Sequence, residues 1–230
     1  MPAYFVTGTG TGIGKTFVTT ALCQQLKEHR KEVFAIKPVI TGWTDNPDNN
    51  DTLQILDALS LIPTPENIDK VTPWRYAAPL APNMAAAKEN KTIVFRDVVR
   101  FCKKAIKTYS NDERYLFIEG AGGIMSPLTN EKTYLDLMKV VGIPAIIVSG
   151  SYLGSISHTL TAVEVLKYHR IPLKHIIISE SLDSDGPSLA DMNQTLSHFL
   201  HRSVVYLPRL MKPQARFWTA LLDLTNILED

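Results

Sequence analysis

Apolar and polar positions alternate between two patterns along this chain: short continuous apolar runs, and longer segments with an apolar residue at every third or fourth position. The short runs predict buried strands at 4–6, 33–39, 115–119, 145–149, 175–179 and 204–207. The periodic segments predict helices at 17–29, 51–59, 93–109, 155–168 and 189–200. Strands that alternate with helices favour a single α/β domain with a mostly parallel sheet and helices on both faces. Right-handed crossovers would then bring the carboxyl ends of the strands to one edge.

A glycine-rich segment, GTGTGIGKT at 8–16, joins the first strand to the first helix. Backbone N–H groups at a helix N-terminus bind anions, Lys15 can reach terminal phosphates, and the Thr16 hydroxyl can bind Mg²⁺. Five residues rather than the usual four separate Gly8 from Gly14. A glycine turn without a ligand is the alternative interpretation, but Gly-Lys-Thr in this position favours a nucleotide-binding phosphate loop and a P-loop NTPase-like fold.

Two further polar residues lie near the end of the second predicted strand and at the start of the next helix. Lys37 ends this otherwise apolar strand, where α/β sheets place their ligands, and we expect it to face the reacting groups rather than solvent. We also expect Lys37→Ala to abolish turnover and leave the fold intact. Asp51 begins the next helix, so it is either a helix cap or a second Mg²⁺ ligand.

The third predicted strand, 115–119, also ends in a charged residue. Glu119 follows its apolar positions and precedes a glycine turn, Gly120 to Gly123. In nucleotide-hydrolysing proteins an acidic residue at this position binds Mg²⁺, directly or through water. A solvent-exposed glutamate is the alternative.

Composition narrows the functional classes. The 24 basic and 23 acidic residues give a net charge of +1, which provides no electrostatic argument for nucleic acid or an anionic membrane. No apolar run is long enough to span a membrane, and we expect neither a signal peptide nor a membrane partner. The two cysteines, Cys23 and Cys102, lie in predicted helices, where buried reduced thiols fit a cytoplasmic protein.

Two stretches are less regular. Residues 62–82 contain five prolines and predict an irregular excursion with one short helix. Within 211–230, Phe217, Leu221, Leu224 and Ile227 form a helical stripe. Because the segment has little positive charge, a helix docked on the domain or on a second copy is preferred to a membrane-surface helix.

The combination of motifs resembles the dethiobiotin synthetase family. It comprises the phosphate loop with its five-residue gap, K-P-V-x-x-G at 37–42, the aspartate at 51, E-G-A-G-G at 119–123 and L-G-S-I-S-H-T-L at 153–160. The resemblance implies an ATP- and Mg²⁺-dependent ligase that joins 7,8-diaminopelargonic acid and CO₂ into the cyclic urea dethiobiotin, with ADP and phosphate as the other products. It also implies a cytoplasmic homodimer with its substrate near the subunit interface.

The resemblance assigns roles to residues of this chain. Catalysis would rest on Lys37 and Lys15, and Mg²⁺ would be held by Thr16, Asp51 and Glu119. Nucleotide contacts would come from Gly12, Ile13, Gly14, Lys15, Thr16, Phe17, Asp51, Glu119, Gly120, Ala121, Gly122, Ser179, Pro208, Arg209 and Leu210. Substrate contacts would come from Thr41, Leu153, Gly154 and Ser157, with the α-helix that follows Gly154 binding the substrate carboxylate.

The sequence departs from the family pattern at a few positions. Gly10 and Gly12 stand where many members have acidic residues, and Ser179 with Glu180 replaces an Asn-Asp pair that reads the adenine. His158 follows Ser157 where members often have Asn-His, and the sequence gives it no role.

Two other functions remain open. A partitioning or positioning ATPase would carry an additional lysine early in the phosphate loop, whereas Thr9 and Gly10 occupy those positions. The synthetase half of a glutamine-dependent amidating enzyme would need a glutaminase domain with a nucleophilic cysteine, which we do not expect here. Neither class accounts for the Lys-Pro motif at Lys37.

Overall fold

The computed structural model describes residues 2–46, 50–110, 113–182, 185–209 and 224–229. The strands in this part of the chain are Ala3–Gly8 (β1), Glu32–Ile36 (β2), Val39–Thr41 (β3), Trp74–Tyr76 (β4), Arg114–Glu119 (β5), Ala145–Gly150 (β6), Leu173–Ser179 (β7) and Val204–Leu207 (β8). The helices are Lys15–Glu28 (α1), Asp51–Ala58 (α2), Pro65–Val71 (α3), Pro82–Lys88 (α4), Phe95–Tyr109 (α5), Tyr134–Val141 (α6), Ser155–Tyr168 (α7), Leu189–Ser197 (α8) and Asn226–Glu229 (α9).

The main sheet has six strands in the order β2-β5-β1-β6-β7-β8, and every neighbouring pair is parallel. Side chains alternate across it, so that Phe5 of β1 lies in one hydrophobic cluster while Tyr4 and Val6 lie in a second on the opposite face. Helices α5 to α8 cover the first face, and α1 to α3 cover the second. The predicted α/β fold is therefore confirmed, and the strand ends share one edge.

The predicted second strand, 33–39, is wrong in one respect because it is broken in two. β2 ends at Ile36, and Val39–Thr41 forms β3, which pairs with β4 in a separate two-stranded sheet. Pro38 lies at the break and has no N–H to donate to a ladder. The Lys37 N–H instead donates to the Val71 carbonyl at 3.1 Å, so Lys37 leaves the main sheet at its carboxyl edge.

The sequence predicts one short helix in 62–82, which α3 confirms, and it does not predict α4 or α6. The proline-rich stretch 62–82, expected to hold one short helix, contains α3 and β4 and ends at the start of α4. A proline in the first turn begins both α3 and α4, where its missing N–H costs nothing. Helix α6 begins with a reciprocal capping box between Thr133 and Asp136 and ends at Gly142. All three are short helices of seven or eight residues with local start signals.

The end of the chain packs on the second face of the sheet. Leu224, Ile227 and Leu228 are buried in the cluster that contains α1, and the Leu224 N–H donates to Gln25 Oε1 at 2.8 Å. This packing supports a C-terminal docking segment for residues 224–229. Phe217 and Leu221, the other members of the predicted stripe, lie outside the described residues.

Both cysteines are inaccessible in the folded protein. Cys23 and Cys102 are fully buried, and burial raises the pKa of the Cys102 thiol to about 12 and that of Cys23 further. We expect neither thiol to react with Ellman's reagent at mildly alkaline pH, and both to react once guanidinium chloride unfolds the chain. Rapid reaction of the native protein would contradict this packing. Within the described ranges, no helix combines the length and apolar character that crossing a bilayer requires.

Candidate active site

A cleft of about 1150 Å³ opens at the carboxyl edge of the main sheet. The phosphate loop and the ends of β2, β7 and β8 border it, as does α2 with the loop that leads into α4. Open α/β sheets bind ligands at this edge, where the chain turns to opposite sides of the sheet. The cleft therefore lies where the sequence places the nucleotide site.

The phosphate loop leads into α1 without a side-chain cap. Gly14 is the N-cap residue, its φ is 95°, and no side chain caps the helix. The first backbone donors of α1 are thus left for an anion. Lys15 Nζ lies 2.5 Å from the Gly10 carbonyl, and burial, followed by the nearby charge of Lys37, lowers the pKa of Lys15 to about 8.

Gly14 offers a test of the loop geometry because a matched glycine lies two residues away. Gly12 and Gly14 both have positive φ, but a Cβ on Gly14 would lie 2.8 Å from Ser179 Oγ, whereas a Cβ on Gly12 would meet nothing within 4 Å. Both alanine variants carry the backbone strain of about 1–2 kcal/mol. We expect Gly14→Ala to weaken MgADP binding, measured by calorimetry, at least tenfold more than Gly12→Ala. Equal losses would contradict the role of the Ser179 contact.

Lys37 lies between two carboxylates beside this loop. Its Nζ is 2.6 Å from Asp51 Oδ2 and 2.6 Å from Glu119 Oε1, and only 4% of Lys37 is exposed. Burial alone would lower the pKa of Lys37, but the charges and hydrogen bonds of Glu119 and Asp51 outweigh burial and raise it above its ordinary value. Burial would raise the pKa of Asp51. The charge and hydrogen bond of Lys37, together with the hydrogen bond from Thr16, outweigh burial and lower this pKa below its ordinary value. The two carboxylates therefore favour the protonated form of Lys37.

Thr16, Asp51 and Glu119 form a donor set that fits Mg²⁺. The Thr16 hydroxyl donates to Glu119 Oε1 at 2.7 Å, and Asp51 is exposed to the cleft by about two fifths of its side chain. Glu119 is fully buried, and its Oε2 has no hydrogen-bond partner in the described part of the chain. A buried carboxylate oxygen without a donor is costly unless a cation binds it. Two carboxylates and one hydroxyl are ligands that Mg²⁺ prefers in nucleotide sites.

Asp51 is not the helix cap. Asn50 caps α2 through its side-chain oxygen, which accepts from the N–H groups of Thr52 and Leu53, and Asp51 is the first helical residue. An acidic residue there is stabilised by the helix dipole. Because Asn50 satisfies the helix end, the Asp51 carboxylate is free to pair with Lys37.

Most of the sequence-predicted nucleotide and substrate residues line the cleft, namely Gly12, Ile13, Gly14, Lys15, Thr16, Phe17, Lys37, Thr41, Asp51, Ala121, Gly122, Ser179, Pro208 and Arg209. Glu119 lies buried behind this lining, and Gly120 packs against the rings of Phe5 and Tyr134. Leu153, Gly154 and Ser157 lie at the exposed start of α7 and do not line the cleft. Leu210 is outside the described residues.

The sequence missed several residues of the cleft. These are Thr11, Gln54, Pro79, Leu80, Ala81, Pro82, Ser126, Ser181 and Leu182. Gln54 lies three residues after Asp51, and this spacing places both residues on one face of α2. The spacing could therefore have indicated that Gln54 lines the cleft. The segment from Pro79 to Pro82 gave no such signal, because it reaches the cleft through the pairing of β3 with β4.

Glu180 holds together the far wall of the cleft, which is the part formed by Ser179, Pro208 and Arg209 at the ends of β7 and β8. Its Oε2 accepts from the Arg209 N–H at 2.7 Å, and its own N–H donates to the Leu207 carbonyl. These bonds hold the turn after β8 beside the end of β7.

Comparisons with known proteins identify the family of this chain. The family described as "AAA domain" matches residues 2–212. The ATP-dependent dethiobiotin synthetase BioD of Methylobacterium nodulans is 46% identical over 191 residues, which are 81% of this chain and 84% of that protein. The BioD of Caulobacter vibrioides strain NA1000 is 42% identical over 230 residues, 97% of this chain and 99% of that protein.

Among solved structures, the MinC:MinD cell division complex of Aquifex aeolicus is similar with a TM-score of 0.55 and 16% identity, over 92% of this chain and 83% of that chain. At that identity the likeness shows the fold alone, a P-loop NTPase-like sheet. The sequence relatives, in contrast, match at high identity across almost the whole chain. On this evidence, the chain belongs to the AAA domain family and, within it, to the ATP-dependent dethiobiotin synthetases.

Proposed function

We propose that this protein uses ATP to join 7,8-diaminopelargonic acid and CO₂ into dethiobiotin, with release of ADP and phosphate. The observation that carries the proposal is the buried ammonium of Lys37, held 2.6 Å from each of two carboxylates in the same cleft as the phosphate loop. A partitioning or positioning ATPase would carry its additional lysine early in the phosphate loop, whereas Lys37 stands just after the end of β2. A reaction that activates a carboxylated amine needs a second cation in the cleft, since it brings a further anion to the phosphates.

The first step forms a C–N bond between one substrate amine and CO₂, which gives a carbamate. Thr41, which ends β3 and lines the cleft, would contact this end of the substrate. Lys37 would bind a carbamate oxygen and hold it against the γ-phosphate. Two of the three ammonium protons of Lys37 face Asp51 and Glu119, which leaves a third donor for the carbamate oxygen.

In the second step a carbamate oxygen attacks the γ-phosphorus and the bond to ADP breaks. Charge develops on the transferring oxygens and on the leaving ADP, next to Lys15 and the N–H groups of the loop. In the third step the second amine attacks the carbonyl carbon of the carbamic phosphate, phosphate leaves and the ring closes. The protein supplies positioning and cations throughout, and no covalent nucleophile is required.

Thr16, Asp51 and Glu119 would hold Mg²⁺, and the unpartnered Glu119 Oε2 supports this donor set. When bound, Mg²⁺ would neutralise part of the negative charge of the phosphates. Ser179, Pro208 and Arg209 would border the base at the far wall of the cleft.

Leu153, Gly154 and Ser157 would bind the substrate carboxylate at the start of α7. Gly154 has a φ of 93° and no side chain caps α7; the Ser155 N–H donates to the Tyr152 carbonyl, so the carboxylate would be bound by the N–H groups that follow it in the first turn. Because these residues do not line the cleft of one chain, we propose a homodimer in which the partner's α7 completes the site. A cytoplasmic location fits the buried free thiols and the neutral charge balance.

The proposal is tested by measuring ADP release by the purified protein with Mg-ATP. We expect release to require both the diamine and bicarbonate, and to stop when either is omitted. Steady ATP hydrolysis without the diamine would instead indicate a switch ATPase.

A further inference from the structure

The residues on either side of Asp51 are completely buried, although both are polar. Asn50 and Thr52 have no exposed surface, whereas Asp51 between them exposes about two fifths of its side chain. A buried amide or hydroxyl destabilises a fold unless it is hydrogen-bonded, and valine would fill the place of Thr52 without this cost. The presence of two polar residues here is therefore to be explained by the bonds that they make.

Asn50 joins the start of α2 to the segment that follows β3. Its Oδ1 accepts from the N–H groups of Thr52 at 2.9 Å and Leu53 at 3.2 Å. Its Nδ2 donates to the Thr44 carbonyl at 2.5 Å. A cap needs only the Oδ1 atom, so the bond to Thr44 is an additional anchor.

The segment that contains Thr44 is itself held by the end of β4. The Trp43 N–H donates to the Tyr76 carbonyl at 2.9 Å, and the Gly42 N–H donates to the Ala78 carbonyl at 3.2 Å. The Nδ2 bond of the asparagine therefore connects the first turn of α2 to the small sheet of β3 and β4.

Thr52 joins α2 to the segment that also holds the backbone of Lys37. The hydroxyls of Thr52 and Thr72 lie 2.8 Å apart, and both residues are completely buried. The carbonyl of the preceding residue, Val71, accepts from the Lys37 N–H at 3.1 Å. Because Asp51 lies 2.6 Å from Lys37 Nζ, the adjacent residues 71 and 72 hold both sides of this ion pair.

These two anchors fix the rotation of α2 about its axis. The other buried residues of the helix, Ile55, Leu56 and Ala58, are apolar and pack without directional bonds. Side-chain tips lie about 5–6 Å from a helix axis, so a rotation of about 10° would shift the Asp51 carboxylate by about 1 Å. Mg²⁺ requires near-ideal octahedral geometry, and a shift of this size would weaken its binding.

We propose that Asn50 and Thr52 are positioning residues for Asp51, and that their buried hydrogen bonds hold its carboxylate beside Lys37 and in place for Mg²⁺. The inference rests on the Mg²⁺ donor set that is part of the proposed function. Both residues act through Asp51 and touch none of the reacting groups.

The test measures how much Mg²⁺ strengthens ADP binding, as the ratio of the dissociation constants obtained by calorimetry without and with Mg²⁺. Thr52→Val and Thr72→Val each delete one hydroxyl of the pair and keep the shape of the side chain. We expect each to lower this ratio about 3- to 10-fold, the effect of one lost hydrogen bond. Because both variants lose the same bond, the double variant should lower the ratio no further than either single variant.

Substitutions at Asn50 separate the anchor from the cap. Serine and ionised aspartate both cap helices, but neither replaces the Nδ2 donor to Thr44. We expect Asn50→Ser and Asn50→Asp, at mildly alkaline pH, to lower the ratio about 3- to 10-fold. The charge added in Asn50→Asp would by itself strengthen Mg²⁺ binding, so a fall there has the opposite sign to a purely electrostatic effect.

The matched control is Ser188→Ala, which removes the cap of α8 away from the cleft and should leave the ratio unchanged. A wild-type ratio in Asn50→Ser or in Thr52→Val would overturn the proposal, and so would an equal fall in Ser188→Ala. If the ratio falls as expected but no dethiobiotin forms, the proposed reaction is wrong and the positioning role stands. If dethiobiotin forms while every variant keeps the wild-type ratio, only the positioning role is wrong.

Discussion

Replacement of Lys37 by methionine should lower kcat about 10²–10³-fold, the loss typical of one preorganised charge at a reacting centre. Methionine keeps much of the volume of the side chain and removes only the ammonium. Because Lys37 would bind the carbamate as it attacks, KM for ATP should change much less than kcat. The measurement is steady-state ADP release with the diamine, and the matched control is Lys27→Met, since Lys27 Nζ contacts Ala58 and Ser60 away from the cleft.

The structure revises the expectation that loss of Lys37 leaves the fold intact. Lys37 is the partner of Glu119, whose side chain is fully buried. An unpaired buried charge costs about 3–5 kcal/mol, so the single variant should also be less stable. The double variant Lys37→Met with Glu119→Gln removes both charges of this pair and should regain most of that stability while remaining inactive. A single variant with near-wild-type kcat would exclude Lys37 from the chemistry.

Replacement of Glu119 by glutamine should raise the Mg²⁺ concentration needed for half-maximal activity at least about tenfold. Glutamine preserves the shape of the side chain and its oxygen can still accept from Thr16, but it loses the charge and the second carboxylate oxygen. Activity at saturating Mg²⁺ should fall as well, because Glu119 also positions Lys37 at 2.6 Å. A titration of activity with Mg²⁺ at fixed ATP separates the two effects.

The control for this titration is Glu164→Gln, since Glu164 lies on α7 with its side chain 68% exposed. An unchanged Mg²⁺ dependence in Glu119→Gln, with only kcat reduced, would remove Glu119 from the metal site and leave it as a positioning residue for Lys37.

The sequence predicted those parts of the site that depend on one segment of chain. Gly14, Lys15 and Thr16 take their arrangement from a single strand-to-helix turn, and Glu119 takes its position from the end of an apolar run. The parallel order of the strands then placed Lys37 at the same edge. These features follow from local pattern and from the handedness of the crossovers.

The remaining features depend on contacts between distant segments, which no local pattern encodes. The pairing of β3 with β4 carries the segment from Pro79 to Pro82 into the cleft and moves Lys37 off the main sheet. Asn50, and not Asp51, caps α2. Which of two neighbouring residues caps a helix depends on backbone dihedrals, and composition does not determine those.

The most direct measurement is the fate of carbon-13-labelled bicarbonate incubated with the protein, Mg-ATP and 7,8-diaminopelargonic acid, followed by carbon NMR of the acid-treated products. The label should appear in the urea carbonyl of an acid-stable cyclic product, with one ADP formed for each labelled molecule, and omission of the diamine should abolish both. Formation of ADP without label in any acid-stable product would contradict it.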